Sequence, residues 1–225
     1  MPSSDLYRIG GLSAIAGAIL TAIGNSLFPR AADPTDPAQV VQAMTSFGAF
    51  VVLNWITALG LLLILGGLAV LALSLRDSPG DGWARLAFYA AMVATALWVV
   101  LFAVSVGAKW LADAAARDPS LAPVAKAMVF QVNGLFAGAV LVNWLDVFLF
   151  GLALLRADRY PVWLAWTAAV LGAATFLLAG LPLALSGVTA TVDNVVFPLL
   201  ATLTLVWLLA LGVLLWRRAG QKVLA

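Results

Sequence analysis

The sequence contains no histidine and no cysteine, and all ten of its acidic residues are aspartate. Haem held by histidine, thiolate clusters, zinc sites and disulfides are therefore excluded within this chain. A histidine general base and a cysteine nucleophile are excluded as well. We expect no cofactor and no enzymatic activity.

Charge of either sign is also scarce, because only 10% of the residues are charged and the net charge is +2. The few basic residues fall near the ends of apolar segments and form no basic patch. Nucleic acid is therefore not expected as a partner.

Apolar side chains fill the space that these absences leave. Hydrophobic residues make up 64% of the chain, and its mean hydropathy is +1.07, whereas soluble domains are about 45–50% apolar. Lipid must therefore be the solvent for most of the protein.

Six apolar runs are long enough to cross a bilayer, which takes about 20 helical residues. Segments rich in Pro, Gly, Asp and Ser separate the runs. The sequence predicts an all-α, polytopic helical bundle that forms a single transmembrane domain over residues 1–225. The predicted spans are 9–28, 48–75, 83–111, 127–155, 162–185 and 195–216.

The distribution of Lys and Arg predicts the orientation of the bundle. Eight basic residues fall on the side of the two termini, and four fall on the other side. Since cytoplasmic loops are enriched in Lys and Arg, we expect both termini in the cytoplasm. The eight are Arg8, Arg76, Arg85, Arg156, Arg159, Arg217, Arg218 and Lys222.

Two of the outer loops carry helix-start signals. Asp36 precedes Pro37 as an N-cap, and Ser120 and Pro123 precede the fourth span in the same manner. A short helix in either loop is a separate interfacial helix or an extension of the following span. We favour extensions, because neither segment has a strong polar face.

Small residues are the expected contact surfaces between helices, because lipid offers no hydrophobic drive for their association. The fourth span contains a GxxxG motif at Gly134 and Gly138. We expect these glycines to pack a helix within the bundle or between two protomers, so a homodimer is a possible assembly. Pro182 is expected to kink the fifth span, and Pro198 fits a first helical turn.

Asp146 is the one ionisable side chain that falls well inside a predicted span. It precedes Arg156 by ten residues, which is about 15 Å of helix, and a charge at that depth costs on the order of 2.5–3.5 kcal/mol. Helical periodicity places Asn143 and Gln131 about 60° to either side of it. Its possible partners are Arg85 and Tyr89, on the third span.

A second polar cluster resembles the surroundings of Asp146. Residues 53–57 (LNWIT) match residues 142–146 (VNWLD), with Asn54 and Thr57 in the places of Asn143 and Asp146. Counted from the next basic residue, the two asparagines differ in depth by about 13 Å. Because a symmetric site needs matched depths, we interpret the likeness as chance.

The layout resembles a bacterial six-span family that is known only as a domain of unknown function. The likeness lies in residues 7–20 (YRIGGLSAIAGAIL), in the long loop before the second span and in residues 151–175 (GLALLRADRYPVWLAWTAAVLGAAT). This resemblance implies the six-span fold and a bacterial origin. It implies no activity or functional residue.

Two hypotheses for the function remain. The first is a non-enzymatic accessory or lipid-interacting bundle in the bacterial plasma membrane, with lipids or an unknown membrane subunit as partners. The alternative is a small proton- or cation-coupled transporter that uses Asp146, with Asn143 and Gln131 along its path.

Overall fold

The computed structural model describes residues 3–221, without the side chain of Gln221. This range is helical almost throughout and contains no strand. The helices are α1 (Ser4–Leu27), α2 (Pro37–Ser46), α3 (Phe50–Ser74), α4 (Asp81–Ala115), α5 (Ala122–Ala157), α6 (Val162–Thr175), α7 (Leu181–Ser186) and α8 (Phe197–Gln221). A 3-10 turn (Pro119–Leu121) precedes α5, and π-helical segments (Phe176–Gly180 and Val192–Val196) precede α7 and α8.

Six helices are long and apolar enough to cross a membrane, which confirms the predicted number of spans and the all-α fold. They cover Ser4–Leu27, Phe50–Ser74, Asp81–Ala115, Pro119–Ala157, Val162–Ser186 and Val192–Gly220. The cytoplasmic position of the termini stays a prediction. Lys222, one of the basic residues behind it, lies outside the described residues.

The six spans form a closed ring in which each span packs against its neighbours in the chain. The contacts run from α1 to α3, α4, α5, α6 and α8, and α8 packs back against α1. We call the end of the helical bundle that carries α2 the α2 face. It is the side that the charge distribution predicts to be external.

The two outer-loop helices differ from one another. Asp36 caps α2, since its Oδ1 accepts a hydrogen bond of 2.9 Å from the Ala38 amide, and α2 ends before α3 begins at Phe50. The expectation that α2 extends the second span is therefore wrong. In the other loop, α5 begins at Ala122 and continues through the fourth span, which confirms an extension there.

Each π-helical segment ends two residues before a proline. The first ends at Gly180, ahead of Pro182, and the second ends at Val196, ahead of Pro198. Proline has no amide hydrogen to donate and clashes with the carbonyl group four residues earlier. A π-helical turn changes the hydrogen-bond register at such a site and keeps the chain helical.

Glycines bring three helices of the ring into backbone contact. A Cβ atom at Gly17 of α1 would meet the Gly60 carbonyl oxygen and the Ile64 amide of α3, and one at Gly11 would meet the α8 backbone at Gly212. Side chains at these positions would push the helices apart. Close packing at small residues therefore stabilises the ring.

Gly134 and Gly138 do not take part in this packing. Apart from the adjoining residues and backbone of α5 itself, no described atom lies within 4 Å of a Cβ atom built at either glycine. The GxxxG motif therefore forms no close helix contact within the ring. A contact between protomers at this motif stays a prediction.

The side of the ring opposite α2 is tied together around Tyr160. The Tyr160 hydroxyl lies 2.6 Å from Ser74 Oγ, and the Arg218 guanidinium lies over its ring, 3.8 Å from the centroid. Arg159 Nη1 donates to the Ser74 carbonyl oxygen at 2.8 Å. Burial raises the pKa of Tyr160 to about 12, although Arg218 and Ser74 act in the opposite direction.

Replacing Gly17 is expected to destabilise the ring. Gly17→Ala forces α1 away from α3, and overpacking of this kind costs about 1–3 kcal/mol. The thermal midpoint in detergent should fall by roughly 2–4 °C per kcal/mol for a chain of this size. Gly107→Ala is the matched control, because a Cβ atom there meets nothing within 4 Å. Equal midpoints for the two variants would contradict the packing described.

The raised pKa of Tyr160 predicts a late tyrosine titration. A phenol whose folded pKa lies above its unfolded value stabilises the fold fully below about pH 10. That contribution is lost as the pH rises through about 12. The ultraviolet difference spectrum between the native chain and Tyr160→Phe should therefore show a tyrosinate that forms near pH 12. A midpoint near pH 10 would contradict the burial of this side chain.

Candidate functional site

A cavity of about 250 Å³ lies inside the ring, in the half nearer the α2 face. Residues of five spans line it, and α6 contributes none. The lining starts at exposed Arg30, in the loop after α1, and continues along α5 from Val132 to Val147.

Asp146 lies at the deep end of this cavity. It is next to last among the α5 residues that line the wall, and it is only 3% exposed. Its Oδ1 atom has no hydrogen-bond partner in the described chain. The two ion pairs found among residues 3–221 join other residues, so no cationic side chain pairs with Asp146.

Two further polar side chains leave unpartnered atoms at the cavity wall. Asn54 of α3 is fully buried and donates from Nδ2 to the Phe50 carbonyl oxygen at 2.8 Å. Because the nitrogen faces a carbonyl group, Oδ1 is the atom that remains without a partner. The Thr21 hydroxyl of α1 is likewise buried without a partner, and both residues line the cavity.

The donors of two indole rings at the wall are already engaged. Trp98 Nε1 donates to Asn143 Oδ1 at 3.0 Å, and Trp144 Nε1 donates to Thr204 Oγ1 at 3.2 Å. Asn143 lines the same cavity as Asp146, but its side-chain oxygen already accepts the hydrogen bond from Trp98. These two bonds fix the orientation of both tryptophans.

Gln131, the third residue of the predicted polar face, is exposed and is not part of the cavity wall. Asn133 takes the corresponding place on α5. Gln131 is fifteen residues from Asp146, and over that length a small departure from 100° per residue moves a side chain to another face. The structure therefore brings Asn143 and Asp146 together and leaves Gln131 outside.

The two expected partners of Asp146 also lie elsewhere. The Arg85 side chain is 60% exposed and forms an ion pair of 2.6 Å with Asp81, one turn earlier on α4. An exposed pair at this spacing avoids the cost of moving a guanidinium towards the membrane centre. Tyr89 is 58% exposed. Neither residue lines the cavity.

Sequence reasoning missed the second polar cluster as part of the site. Asn54 and Thr57 of the LNWIT segment line the same cavity as Asn143 and Asp146 of the VNWLD segment. The likeness between the two segments was the available signal. The likeness was rejected because the two asparagines differ in depth when they are counted from basic residues. Equal depths are not required, however, because a cavity that runs along the spans is lined by polar groups at different depths.

Two charged residues lie at the mouth of the cavity. Arg30 Nη2 donates to Asn25 Oδ1 at 3.3 Å, and Asp193 also lines the wall. Next to Asp193, Asn194 Nδ2 donates to the Ala31 carbonyl oxygen at 3.2 Å. This bond ties the α1–α2 loop to the start of the sixth span.

Within residues 3–221, no group of three His, Cys, Asp or Glu side chains could hold a metal ion. The polar groups of the cavity come from different helices, and Asp146 is the one carboxyl group at its deep end. A single carboxyl group of this kind suits binding or proton transfer.

No protein-family model, curated protein or solved structure matches the chain. The resemblance to the six-span family of unknown function stays a prediction.

The missing partner of Asp146 has a measurable consequence for stability. Asp146→Asn removes no hydrogen bond at Oδ1, so the thermal midpoint in detergent should be unchanged or higher. Thr204→Val is the matched control, because it leaves Trp144 Nε1 buried without an acceptor, at a cost of about 1–3 kcal/mol. A fall in the Asp146→Asn midpoint comparable to that of Thr204→Val would show that Asp146 ties helices together.

Proposed function

We propose that the protein is a small proton- or cation-coupled transporter in which Asp146 is the binding group. The observation that carries this proposal is the unpartnered carboxyl oxygen of Asp146 at the deep end of the cavity. A tie between helices needs a partner for its polar atoms, and Asp146 Oδ1 has none in the described chain.

The chemistry of a lone buried carboxyl group supports this role. An ionised carboxylate inside a membrane costs several kcal/mol unless a cation compensates its charge. Asp146 therefore has two favourable states, one with a bound proton and one with a bound cation. Alternation between these states couples the movement of the two ligands.

The other charged groups near α5 do not compensate Asp146. In the cavity, Arg30 and Asp193 lie at the mouth, far along the wall from Asp146. On α4, Arg85 pairs with Asp81, and Lys109 Nζ pairs with Asp113 at 2.8 Å. On α5 itself, Arg156 stacks over the Trp83 ring.

The two halves of the ring suggest how access is controlled. The cavity reaches exposed Arg30 at the α2 face. On the opposite side the core is closed by fully buried side chains such as Leu71, Phe150 and Leu211. A transport cycle would therefore require this packed half to open, and in the proposed cycle this structure is assigned to the state open towards the α2 face.

A second groove favours the accessory or lipid-interacting function as the other candidate. It has a volume of about 500 Å³ and lies on the outside of α5, beside α7. Gly134 and Gly138 line it together with Leu183 and Val188. An apolar groove of this kind would accommodate an acyl chain or a helix of a partner subunit.

Transport through Asp146 is tested in proteoliposomes that carry a pH gradient. The native protein should accelerate dissipation of the gradient in the presence of an exchangeable cation. Asp146→Asn should abolish that flux while the protein stays folded, because the amide cannot exchange a proton at neutral pH. Asp113→Asn, at a paired and partly exposed carboxylate, should retain it. Equal flux from the native protein and Asp146→Asn would refute the proposal.

Access of water to the cavity can be measured by cysteine labelling, since the native chain has no cysteine. Asp146→Cys should react with a small water-soluble thiol reagent added from the α2 face. Ala153→Cys is the matched control, because Ala153 lies two turns further along α5 and is fully buried outside the cavity. If both variants are inert, the cavity is not accessible to water and the transport proposal fails.

A further inference from the structure

Five aromatic rings that contact one another line the cavity. Trp98 and Phe102 come from α4, Phe136 and Trp144 from α5, and Phe197 from the start of α8, and all five line the wall. Their ring centroids lie 5.0–6.3 Å apart in stacked, tilted and edge-to-face pairs. These pairs hold the rings in fixed orientations.

Three buried side-chain oxygens at the wall have no hydrogen-bond partner in the described chain. Asn54 Oδ1 and Asp146 Oδ1 are acceptors without a donor, and the Thr21 hydroxyl is able to accept as well. The indole donors of Trp98 and Trp144 are used by Asn143 and Thr204. The buried side-chain atoms of the wall that lack a partner are therefore oxygens, and a cation is the ligand that they would stabilise.

The charged side chains of the wall also favour a cation as the ligand. Arg30, Asp193 and Asp146 are the ionisable residues that line the cavity within the described range. In their ionised forms they supply one positive and two negative charges. The positive charge lies at the mouth, and the deep end holds the Asp146 carboxylate alone.

We propose that the cavity binds a small organic ammonium cation, with its charged nitrogen at Asp146 and its apolar body against the aromatic rings of Trp98, Phe102, Phe136, Trp144 and Phe197. This inference rests on the proposed transport function and names the class of its substrate. Aromatic faces attract ammonium groups through their quadrupole, and the mostly apolar wall desolvates the organic part of the ion. Inorganic cations lack such a body and gain nothing from the rings.

The test uses the full chain in lipid nanodiscs, with benzyltrimethylammonium as the probe and equilibrium dialysis as the measurement. This ion has a permanent charge, so it does not cross the bilayer in a neutral form. The native protein should bind it at one site and should not bind phenylacetate, an anion with a similar body. Asp146→Asn should weaken binding at least roughly thirty-fold, the effect of removing one partner of a buried charge pair.

A pair of phenylalanine variants tests the aromatic part of the site. Phe197→Leu removes a ring from the cavity wall and should weaken binding roughly two- to thirty-fold. Phe130→Leu is the matched control, because Phe130 is exposed on α5 outside the cavity, and it should bind as the native protein does. Equal losses from both substitutions would overturn the role of the rings.

The outcomes separate this inference from the transport proposal. Asp146-dependent proton flux with an inorganic cation, but no binding of benzyltrimethylammonium, would refute the substrate class and leave the transporter intact. Saturable, Asp146-dependent binding without flux in proteoliposomes would support the site and refute transport. Binding that Asp146→Asn does not weaken would refute the site.

Discussion

Backbone contact between helices at small residues holds the ring together, and the cavity depends on it. In lipid, apolar side chains gain little from leaving one apolar surface for another, so α1 stays beside α3 and α8 through Gly17 and Gly11, where larger side chains do not fit. The closed ring then fixes the spacing of five spans. In the half of the ring away from the α2 face their side chains fill the interior, and in the half nearer the α2 face they do not. The unfilled half is the cavity.

The same arrangement explains how a carboxyl group is kept in the membrane interior. Asp146 lines a cavity inside the ring and does not contact lipid, so the desolvation that lipid contact would impose is reduced. Its neighbours on the wall are held by bonds to each other, as Asn143 is by Trp98. The polar atoms left over belong to Asp146, Asn54 and Thr21. Buried polar groups without partners are uncommon in folded proteins, and these three are the groups that the proposed ligand would satisfy.

Local signals in the sequence were sufficient for the spans and for the Asp36 cap of α2, because each depends on composition or on spacing within one helix. They were insufficient for contacts between helices. GxxxG at Gly134 and Gly138 had the expected spacing but faces outward, while the packing falls on isolated glycines such as Gly17. Asn54 lines the same cavity as Asp146 because the ring closes, whereas Arg85 forms an ion pair with Asp81 on its own helix. Which face of a helix meets another is decided by the whole ring.

The solitary position of Asp146 determines the electrical character of any exchange that passes through it. One carboxylate neutralises one proton or one monovalent cation, and not both together. The two loaded forms of the protein then carry the same net charge across the membrane. A membrane potential would neither drive nor oppose their interchange, so the direction of transport would follow the two concentration gradients alone.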